Sequence, residues 1–268
     1  MTKPARVLVL GAHPDDAEFH AGGLLLRHGS RGATIRIVSV TNGAAGHHRM
    51  HPLELAVRRR HEAQAAGRLL KADYQTWDYP DGELEPSLEL RRRLIREIRH
   101  FQPDLVLTHR PYDYHPDHRA VGQAVQDACY MVTVPLVAPD SPHLESDPVV
   151  AFMCDLFTRP VPLRPDVIRD VTAELPQIVR LLACHESQVF EFLPYNQKLE
   201  QPPCDPDQRL EWLREWYLRF MKQRMEAFRE AVLEGLGDSG KSIQCIEVYE
   251  ICQYARKPTP EEIAWLFP

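Results

Sequence analysis

The sequence lacks a positive net charge and long apolar runs, and each absence excludes a class of protein. The formal net charge of its 268 residues is -6 at pH 7. Surfaces for nucleic acid or anionic membranes need concentrated positive charge, so neither partner is expected. No apolar run approaches the roughly 20 residues that a membrane helix needs. We therefore expect no membrane span, and we expect a small molecule as the partner.

The six cysteines show no CxxC spacing, and the first residues contain no apolar segment of the kind found in secretory signal peptides. Free thiols in the cytoplasm are the expected state. The glycines after the first apolar run, Gly11, Gly22 and Gly23, do not form a GxGxxG pattern. A dinucleotide cofactor is therefore not supported.

Short apolar runs alternate with amphipathic stretches of helical periodicity through the first half of the chain. This alternation predicts an α/β fold that is Rossmann-like, with a mostly parallel sheet and helices on both faces. The predicted strands are 6–10, 34–40, about 74–78 and 104–109. The predicted helices are 17–29, about 53–71, about 87–101 and about 117–130.

After residue 131 the sequence becomes richer in proline and less regular. The patterns predict a strand over 148–155, helices near 173–186 and 207–233, and a final strand over 242–255. The last strand is expected to return to the main sheet. We therefore expect a single domain over 1–268, in which 131–240 forms a more irregular C-terminal region on the substrate side.

Two motifs rich in histidine and aspartate, AHPDD at 12–16 and HPDH at 115–118, each follow a predicted strand. In a doubly wound sheet of order 3-2-1-4, the strands before these motifs are neighbours at the point where the winding reverses. Ligand crevices form there, at the carboxyl ends of the strands. The two motifs are therefore expected to meet in one crevice.

The residue types of the two motifs suit a catalytic zinc, which takes three histidine or carboxylate ligands and keeps an open position. Proline disfavours helical geometry at the preceding residue, so His13 and His115 are expected to point into the crevice. Asp15 and Asp16 cannot both face the same way, so one can bind metal while the other approaches a water. Each aspartate alone could instead cap a helix, but the coincidence of the two motifs favours a metal site.

Three other features suggest chemistry less strongly. His61 and Glu62 begin like the zinc-protease motif HExxH, but Ala65 stands where the second histidine is required. A loop with His47, His48 and His51 is interpreted as a crevice rim and not as a second metal site. A stripe of large side chains at helical spacing is interpreted as core, although it would also suit the interface of a homo-oligomer: Trp212, Trp216, Tyr217, Phe220 and Met221.

The motifs AHPDD, TNG (41–43), RRHEA (59–63), HPDH and HESQ (185–188) occur in this order along the chain. In this set and order the sequence resembles the LmbE-like, PIG-L family of zinc-dependent N-acetylglucosaminyl deacetylases. The resemblance implies an LmbE-like deacetylase fold and a metal-dependent hydrolase that acts on the amide of an N-acetylated sugar conjugate.

The resemblance also implies a role for each residue of the site. One Zn²⁺ per chain is expected on His13, Asp16 and His118. The same ligands would also suit Fe²⁺ as the alternative metal. Asp15 is expected to be the general base. His115 is expected to stabilise the oxyanion, and either His115 or Asp15 protonates the departing amine.

Substrate contacts are expected from Arg59, Asn42 and Asp117, and Asp117 is also suited to orient a neighbouring histidine. Tyr112 and Tyr114 flank the second motif and are not assigned a role. Two alternatives remain open: a zinc amidohydrolase of a non-sugar amide, and a metal- or sugar-binding protein without turnover. Asp15 favours catalysis, because a binding protein has no need of a base beside the metal ligands.

Overall fold

The computed structural model describes residues 3–236 and 242–268. Strands and helices alternate strictly over the first half of the chain, as predicted. The strands are β1 (Arg6–Gly11), β2 (Thr34–Thr41), β3 (Asp73–Tyr79), β4 (Leu105–Thr108), β5 (Val149–Met153), β6 (Val167–Asp170) and β7 (Ile246–Ile251). The helices are α1 (Asp16–Ser30), α2 (Pro52–Leu70), α3 (Leu88–Phe101), α4 (Pro116–Ala128), α5 (Leu175–Ala183), α6 (Leu193–Asn196), α7 (Pro206–Ala227), α8 (Arg229–Leu236) and α9 (Pro260–Leu266).

The seven strands form one sheet in the order β3-β2-β1-β4-β5-β7-β6. The first five of this order are parallel, and β7 runs antiparallel to both β5 and β6. The predicted order of the first four strands and the mostly parallel α/β fold are confirmed. The winding reverses between β1 and β4, which are paired from Val7 with Leu105 to Leu10 with Thr108.

Apolar side chains cover both faces of the sheet, because successive side chains along a strand point to opposite faces. Val7 and Val9 of β1 belong to a cluster with α1 and α2, whereas Leu8 and Leu10 belong to a cluster with α3 and α4. A third cluster joins α5 and the segment after it to α7. Burial on both faces explains why the central strands are almost continuously apolar.

Gly122 allows α4 to pack directly on the end of β4. A Cβ atom at Gly122 would lie 2.4 Å from the carbonyl oxygen of His109, closer than such atoms approach in proteins. Only glycine permits this close contact between helix and backbone. The start of α4, which carries the HPDH motif, is thereby held over the carboxyl end of the sheet.

The C-terminal half departs from the predictions in three places. The helix predicted over 207–233 is two helices, since α7 ends at Ala227 and α8 begins at Arg229. Strand β6 was not predicted, because four residues give too short an alternation to recognise. Helix α9 was not predicted either, although Thr259 and Glu262 form a capping box around Pro260, which is a known start signal. None of the helices in the described ranges is long and apolar enough to cross a membrane.

Candidate metal centre and its surroundings

The AHPDD and HPDH motifs meet at the carboxyl ends of β1 and β4, as the strand order predicts. Nδ1 of His13 lies 3.1 Å from Nε2 of His118. The same His118 nitrogen lies 3.4 Å from Oδ1 of Asp16, and Nδ1 of His13 lies 3.8 Å from Oδ2 of Asp16. Two ring nitrogens and a carboxylate thus converge on one small volume.

A carboxylate faces the outer nitrogen of each of these two histidines. Nε2 of His13 lies 3.2 Å from Asp117 and 3.2 Å from Asp81. Nδ1 of His118 lies 3.1 Å from Asp113. A carboxylate at the outer nitrogen keeps the proton there and turns the lone pair of the other nitrogen towards the centre, as second partners of metal-binding histidines commonly do.

The electrostatics of the centre reflect this concentration of carboxylates. Burial alone lowers the pKa of His13, but hydrogen bonds to Asp117 and Asp81 outweigh it and raise that pKa to about 10. Burial also lowers the pKa of His118, but the carboxylates of Asp16 and Asp113 outweigh this effect and raise that pKa to about 9. The surrounding carboxylates therefore favour positive charge at the two rings, whether from a proton or from a cation.

Asp15 occupies the N-cap position of α1, but its side chain makes no capping hydrogen bond. The helix-cap alternative is therefore wrong for Asp15. Its backbone is in the left-handed region at φ 113°, a conformation that non-glycine residues rarely adopt. Burial and the charge of Asp16 raise the pKa of its carboxyl to about 7, against the opposing effect of His185. The group can exchange a proton near neutral pH.

His115 is the N-cap of α4, and its Nδ1 accepts a hydrogen bond from the backbone N–H of Asp117 at 3.2 Å. Because Nδ1 is an acceptor, the ring proton of the neutral form is on Nε2. Burial and the neighbouring His13 and His118 lower the pKa of His115. Its ring centroid lies 4.5 Å from that of His13. His115 therefore offers one N–H donor beside the centre.

The three residues predicted to contact substrate are placed differently from one another. Asn42 is half-buried, and its Oδ1 accepts a hydrogen bond from the N–H of Ala44. Arg59 is buried, and its Nη2 donates to Gly46 O and to the side chain of Gln188. The guanidinium thus holds the loop after β2 against α2.

The Asp117 carboxylate is engaged by backbone N–H groups and by His13. Asp117 is completely buried, and its two oxygens accept hydrogen bonds from the N–H groups of Gly82 and Leu84 as well as facing His13. It therefore orients His13, the second role that the sequence suggested.

Three further residues at this centre were not predicted from the sequence: Asp81, Asp113 and His109. Nε2 of His109 lies 2.9 Å from Asp16, and its ring stacks on that of His118 at 3.9 Å. All three follow the carboxyl end of a parallel strand, β3 or β4. The strand-end rule that pointed to the two motifs would have found them if it had been applied to every polar residue there.

The HESQ motif ties the helices around the crevice together. Nε2 of His185 lies 3.1 Å from Glu18 of α1. Ser187 donates to Glu62 of α2 through both its backbone N–H and its hydroxyl, and Gln188 accepts from Arg59. The motif leads into the π-helical turn Ser187–Phe192. Its histidine faces α1, and its serine and glutamine face α2.

The histidines of the loop at 47–51 have structural partners. Nδ1 of His47 accepts from the N–H groups of Arg49 and Met50, and Nε2 faces Glu191 at 3.1 Å. His51 caps α2 by accepting from the N–H of Leu53. Over the described ranges, each cluster of His, Cys, Asp and Glu close enough to hold a cation includes His13 or Asp16. The interpretation of the loop as a rim agrees with this geometry.

The doubly wound sheet and a histidine/aspartate centre at its switch point define the class, an α/β protein with a candidate metal site in the ligand crevice. Residues 8–129 match the family model described as PIG-L, GlcNAc-PI de-N-acetylase. This part of the chain is thus similar to the PIG-L family, as the motifs predicted, and deacetylases are among the relatives. The prediction of an enzyme is confirmed as well, because this family is enzymatic.

Two curated relatives match most of the chain. The diacetylchitobiose deacetylase of Thermococcus kodakarensis is 28% identical over 195 residues, which are 68% of this chain and 70% of that protein. The 4-oxalmesaconate hydratase of Pseudomonas putida is 26% identical over 203 residues, 70% of this chain and 75% of that protein. The family matches thus include two kinds of reaction.

Two solved structures share the fold over nearly the whole chain. The N,N'-diacetylchitobiose deacetylase of Pyrococcus horikoshii has a TM-score of 0.71 at 23% identity, over 96% of this chain and 88% of that one. GalB, the 4-carboxy-2-hydroxymuconate hydratase of Pseudomonas putida, has a TM-score of 0.72 at 23% identity, over 95% of this chain and 98% of that one. At these identities the likeness concerns the fold.

Proposed function

We propose that the protein is a zinc-dependent deacetylase that removes the N-acetyl group from an amino sugar or a sugar conjugate. The observation that carries the proposal is the convergence of His13, Asp16 and His118 beside the carboxylate of Asp15, which no capping bond engages. The PIG-L family match and the deacetylase relatives support the reaction type.

The residues present fit a single divalent cation. Two imidazole nitrogens and one carboxylate are a common ligand set of catalytic zinc, and three protein ligands leave a position open. The carboxylates at the outer nitrogens of His13 and His118 favour the ligand form of each ring. When bound, such a cation lowers the pKa of a coordinated water and polarises the amide carbonyl.

Asp15 is suited to take the proton of the attacking water. Its carboxylate is next to the ligand Asp16 in sequence, and its pKa of about 7 is close to the value that favours proton transfer at neutral pH. Once protonated, the same group can return the proton to the departing amine. Asp15 can therefore serve both halves of the hydrolysis.

His115 is suited to bind the oxygen on which negative charge develops. Its Nδ1 is fixed as an acceptor by the N–H of Asp117, so Nε2–H is free to donate. A donor held in place before the reaction stabilises an oxyanion strongly, because it does not have to reorient. Asp81, Asp113 and Asp117 act through the histidines and orient them.

The charge around the crevice favours a neutral substrate. Carboxylates are concentrated at the centre, and the two arginines of α2 nearest to it are already engaged. Arg58 pairs with Glu191 and Glu62, and Arg59 bonds Gly46 and Gln188. A sugar amide brings hydroxyl and amide groups but no anion, and so it avoids like-charge repulsion.

A hydratase is the second candidate, because a named hydratase matches the chain as extensively as a deacetylase does. Its name denotes a substrate with carboxylates, which would need cationic partners. Glu191 and Glu62 neutralise Arg58, which leaves fewer cationic partners for such a substrate. The pairing of Arg58 therefore favours the deacetylase.

We further propose that the chain acts as a single domain over 1–268, with 131–240 forming the substrate-side wall. Residues 1–2 and 237–241 of this range lie outside the described residues. The contacts of Gln188 and Glu191 with α2 support the proposal, since they join the C-terminal region to the crevice. All six cysteines are free, which supports a reducing compartment such as the cytoplasm.

A substrate panel tests the proposed function. Protein loaded with one equivalent of Zn²⁺ or Fe²⁺ would be assayed for acetate release from N-acetylglucosamine, diacetylchitobiose, larger N-acetylglucosamine conjugates and a simple N-alkyl acetamide. Hydration of an unsaturated dicarboxylate would be followed in parallel by absorbance. Chelator-sensitive acetate release from the sugar amides alone is expected, whereas hydration without acetate release would establish the second candidate.

A further inference from the structure

Asp15 adopts a strained backbone conformation, and a buried chain of polar side chains contacts it there. A non-glycine residue at φ 113° persists only where its surroundings hold it. The backbone N–H of Asp15 donates to the hydroxyl of Tyr74 on β3 at 3.2 Å. This bond comes from a strand that contributes no residue to the two metal-site motifs.

The hydroxyl of Tyr74 is itself bonded to Glu18, and Glu18 in turn faces His185. The hydroxyl donates to Oε2 of Glu18 on α1 at 3.4 Å, and Oε1 of Glu18 lies 3.1 Å from Nε2 of His185. Asp15, Glu18, Tyr74 and His185 are all buried. We refer to Tyr74, Glu18 and His185 as the Tyr74 chain.

The charges of the Tyr74 chain fix the direction of the two hydrogen bonds of the Tyr74 hydroxyl. Burial and the charge of Glu18 raise the pKa of Tyr74 well above its usual value, so the phenol stays protonated and donates to Glu18. Burial lowers the pKa of His185, but Glu18 outweighs this and raises it. With its proton committed to Glu18, the Tyr74 oxygen presents a lone pair to the N–H of Asp15.

We propose that Tyr74 is a positioning residue that holds the Asp15 backbone in its left-handed conformation, and that Glu18 and His185 orient its hydroxyl. This inference rests on the proposed function, in which the Asp15 carboxylate takes the proton of the attacking water. Tyr74 touches neither substrate nor cation in this account. It acts by directing the Asp15 side chain into the crevice and away from the end of α1.

The hydroxyl of Tyr74 contributes separately from the packing of its ring. The ring belongs to the apolar cluster under α1 and α2, and phenylalanine would fill the same space. The hydroxyl adds one acceptor for a buried N–H group that has no other partner in the described part of the chain. Removing the oxygen alone therefore tests positioning without opening a cavity.

The test compares Tyr74→Phe with Tyr79→Phe, which removes a hydroxyl from the same strand that bonds Glu89 and not Asp15. We expect Tyr74→Phe to lower kcat about 10-fold to 100-fold with KM changed less than about twofold, because the base is displaced and not removed. Bound zinc should stay at one equivalent, and Tyr79→Phe should behave as the wild type. Unchanged kcat in folded Tyr74→Phe would overturn the inference.

Two further measurements separate positioning from a general loss of structure. Amide hydrogen exchange should become faster over residues 13–17 in Tyr74→Phe and stay unchanged in Tyr79→Phe. Adding Tyr74→Phe to Asp15→Asn should cause no further loss of kcat, because both act through the same group. An equal loss in both backgrounds, or unchanged exchange, would contradict the inference.

A second variant keeps the proposal testable if Tyr74→Phe does not fold. Glu18→Gln retains an acceptor for the Tyr74 hydroxyl but removes the charge that faces His185. We expect a smaller loss of kcat with the same faster exchange over 13–17, and unchanged values would overturn the inference. Full activity of Asp15→Asn would refute the proposed base and the inference with it. If Asp15→Asn is inactive but amide exchange over 13–17 in Tyr74→Phe is as slow as in the wild type, the inference alone is refuted.

Discussion

Oδ1 of Asp81 lies 3.2 Å from Nε2 of His13, and the other oxygen of Asp81 accepts a hydrogen bond from the N–H of Ala45 at 2.9 Å. One carboxylate thus connects a proposed zinc ligand to the loop after β2. This loop also carries Asn42, a predicted substrate contact. The position of the ligand and the shape of the crevice rim are therefore coupled through Asp81.

We predict that Asp81→Asn weakens zinc binding about 10-fold to 100-fold, because the outer nitrogen of His13 loses one of its two carboxylate partners. Competition with a chromogenic chelator measures the dissociation constant. Asp78→Asn is the matched control, since Asp78 is 80% exposed and pairs with Arg60 at the surface. Equal affinity in the Asp81 and Asp78 variants would show that Asp81 does not support His13.

We predict that His118→Ala purifies with less than one equivalent of metal and that a chelator no longer changes its melting temperature. In the wild type, removal of a cation present at 100 times its dissociation constant should cost about 2.7 kcal/mol of folding free energy. Elemental analysis and thermal melts with and without chelator check both statements. His61→Ala, an exposed histidine of α2, should retain the metal. Full metal content in His118→Ala would exclude it as a ligand.

Buried His28 makes the stability of the fold sensitive to acid. Burial lowers its pKa, and its Nε2 faces the carbonyl oxygen of Leu266 at 2.8 Å, so the ring is neutral in the folded state. As the pH falls through the unfolded value of about 6.5, the unfolded chain binds a proton that the folded chain does not. The contribution of this group to stability is therefore present above that pH and is lost below it.

We predict that the free energy of unfolding falls less between pH 7.5 and pH 5.5 in His28→Gln than in the wild type. Urea titrations of chelator-treated protein at the two pH values measure the difference without a contribution from bound metal. His100→Gln removes an exposed histidine and should keep the wild-type pH dependence. The same pH dependence in the His28 variant as in the wild type would contradict the prediction.

The first four strands and their order could be predicted because the apolar periodicity is strong and the connections are short. The meeting of AHPDD with HPDH followed from the adjacency of β1 and β4 alone. Asp81 and Asp113 also follow strand ends, but which histidine each of them contacts could not be predicted in this way. These contacts depend on turn geometry and side-chain direction, which leave no periodic signal in the sequence.

The C-terminal region was harder to predict for a different physical reason. Its elements are short, and its polar residues bond across distant segments. Arg59 was singled out as a substrate contact, but tertiary structure brings Gln188 from 129 positions away to bond it. The break between α7 and α8 falls at Phe228, where no proline or glycine marks it in the sequence.

The most direct test of the account measures acetate release and bound zinc in the same preparations of wild type and Asp15→Asn. The account predicts one equivalent of zinc in both proteins and a kcat on an N-acetylglucosamine conjugate about 100-fold to 10,000-fold lower in the variant. Such a result would separate the base from the metal ligands. Wild-type turnover by zinc-loaded Asp15→Asn would contradict the central claim.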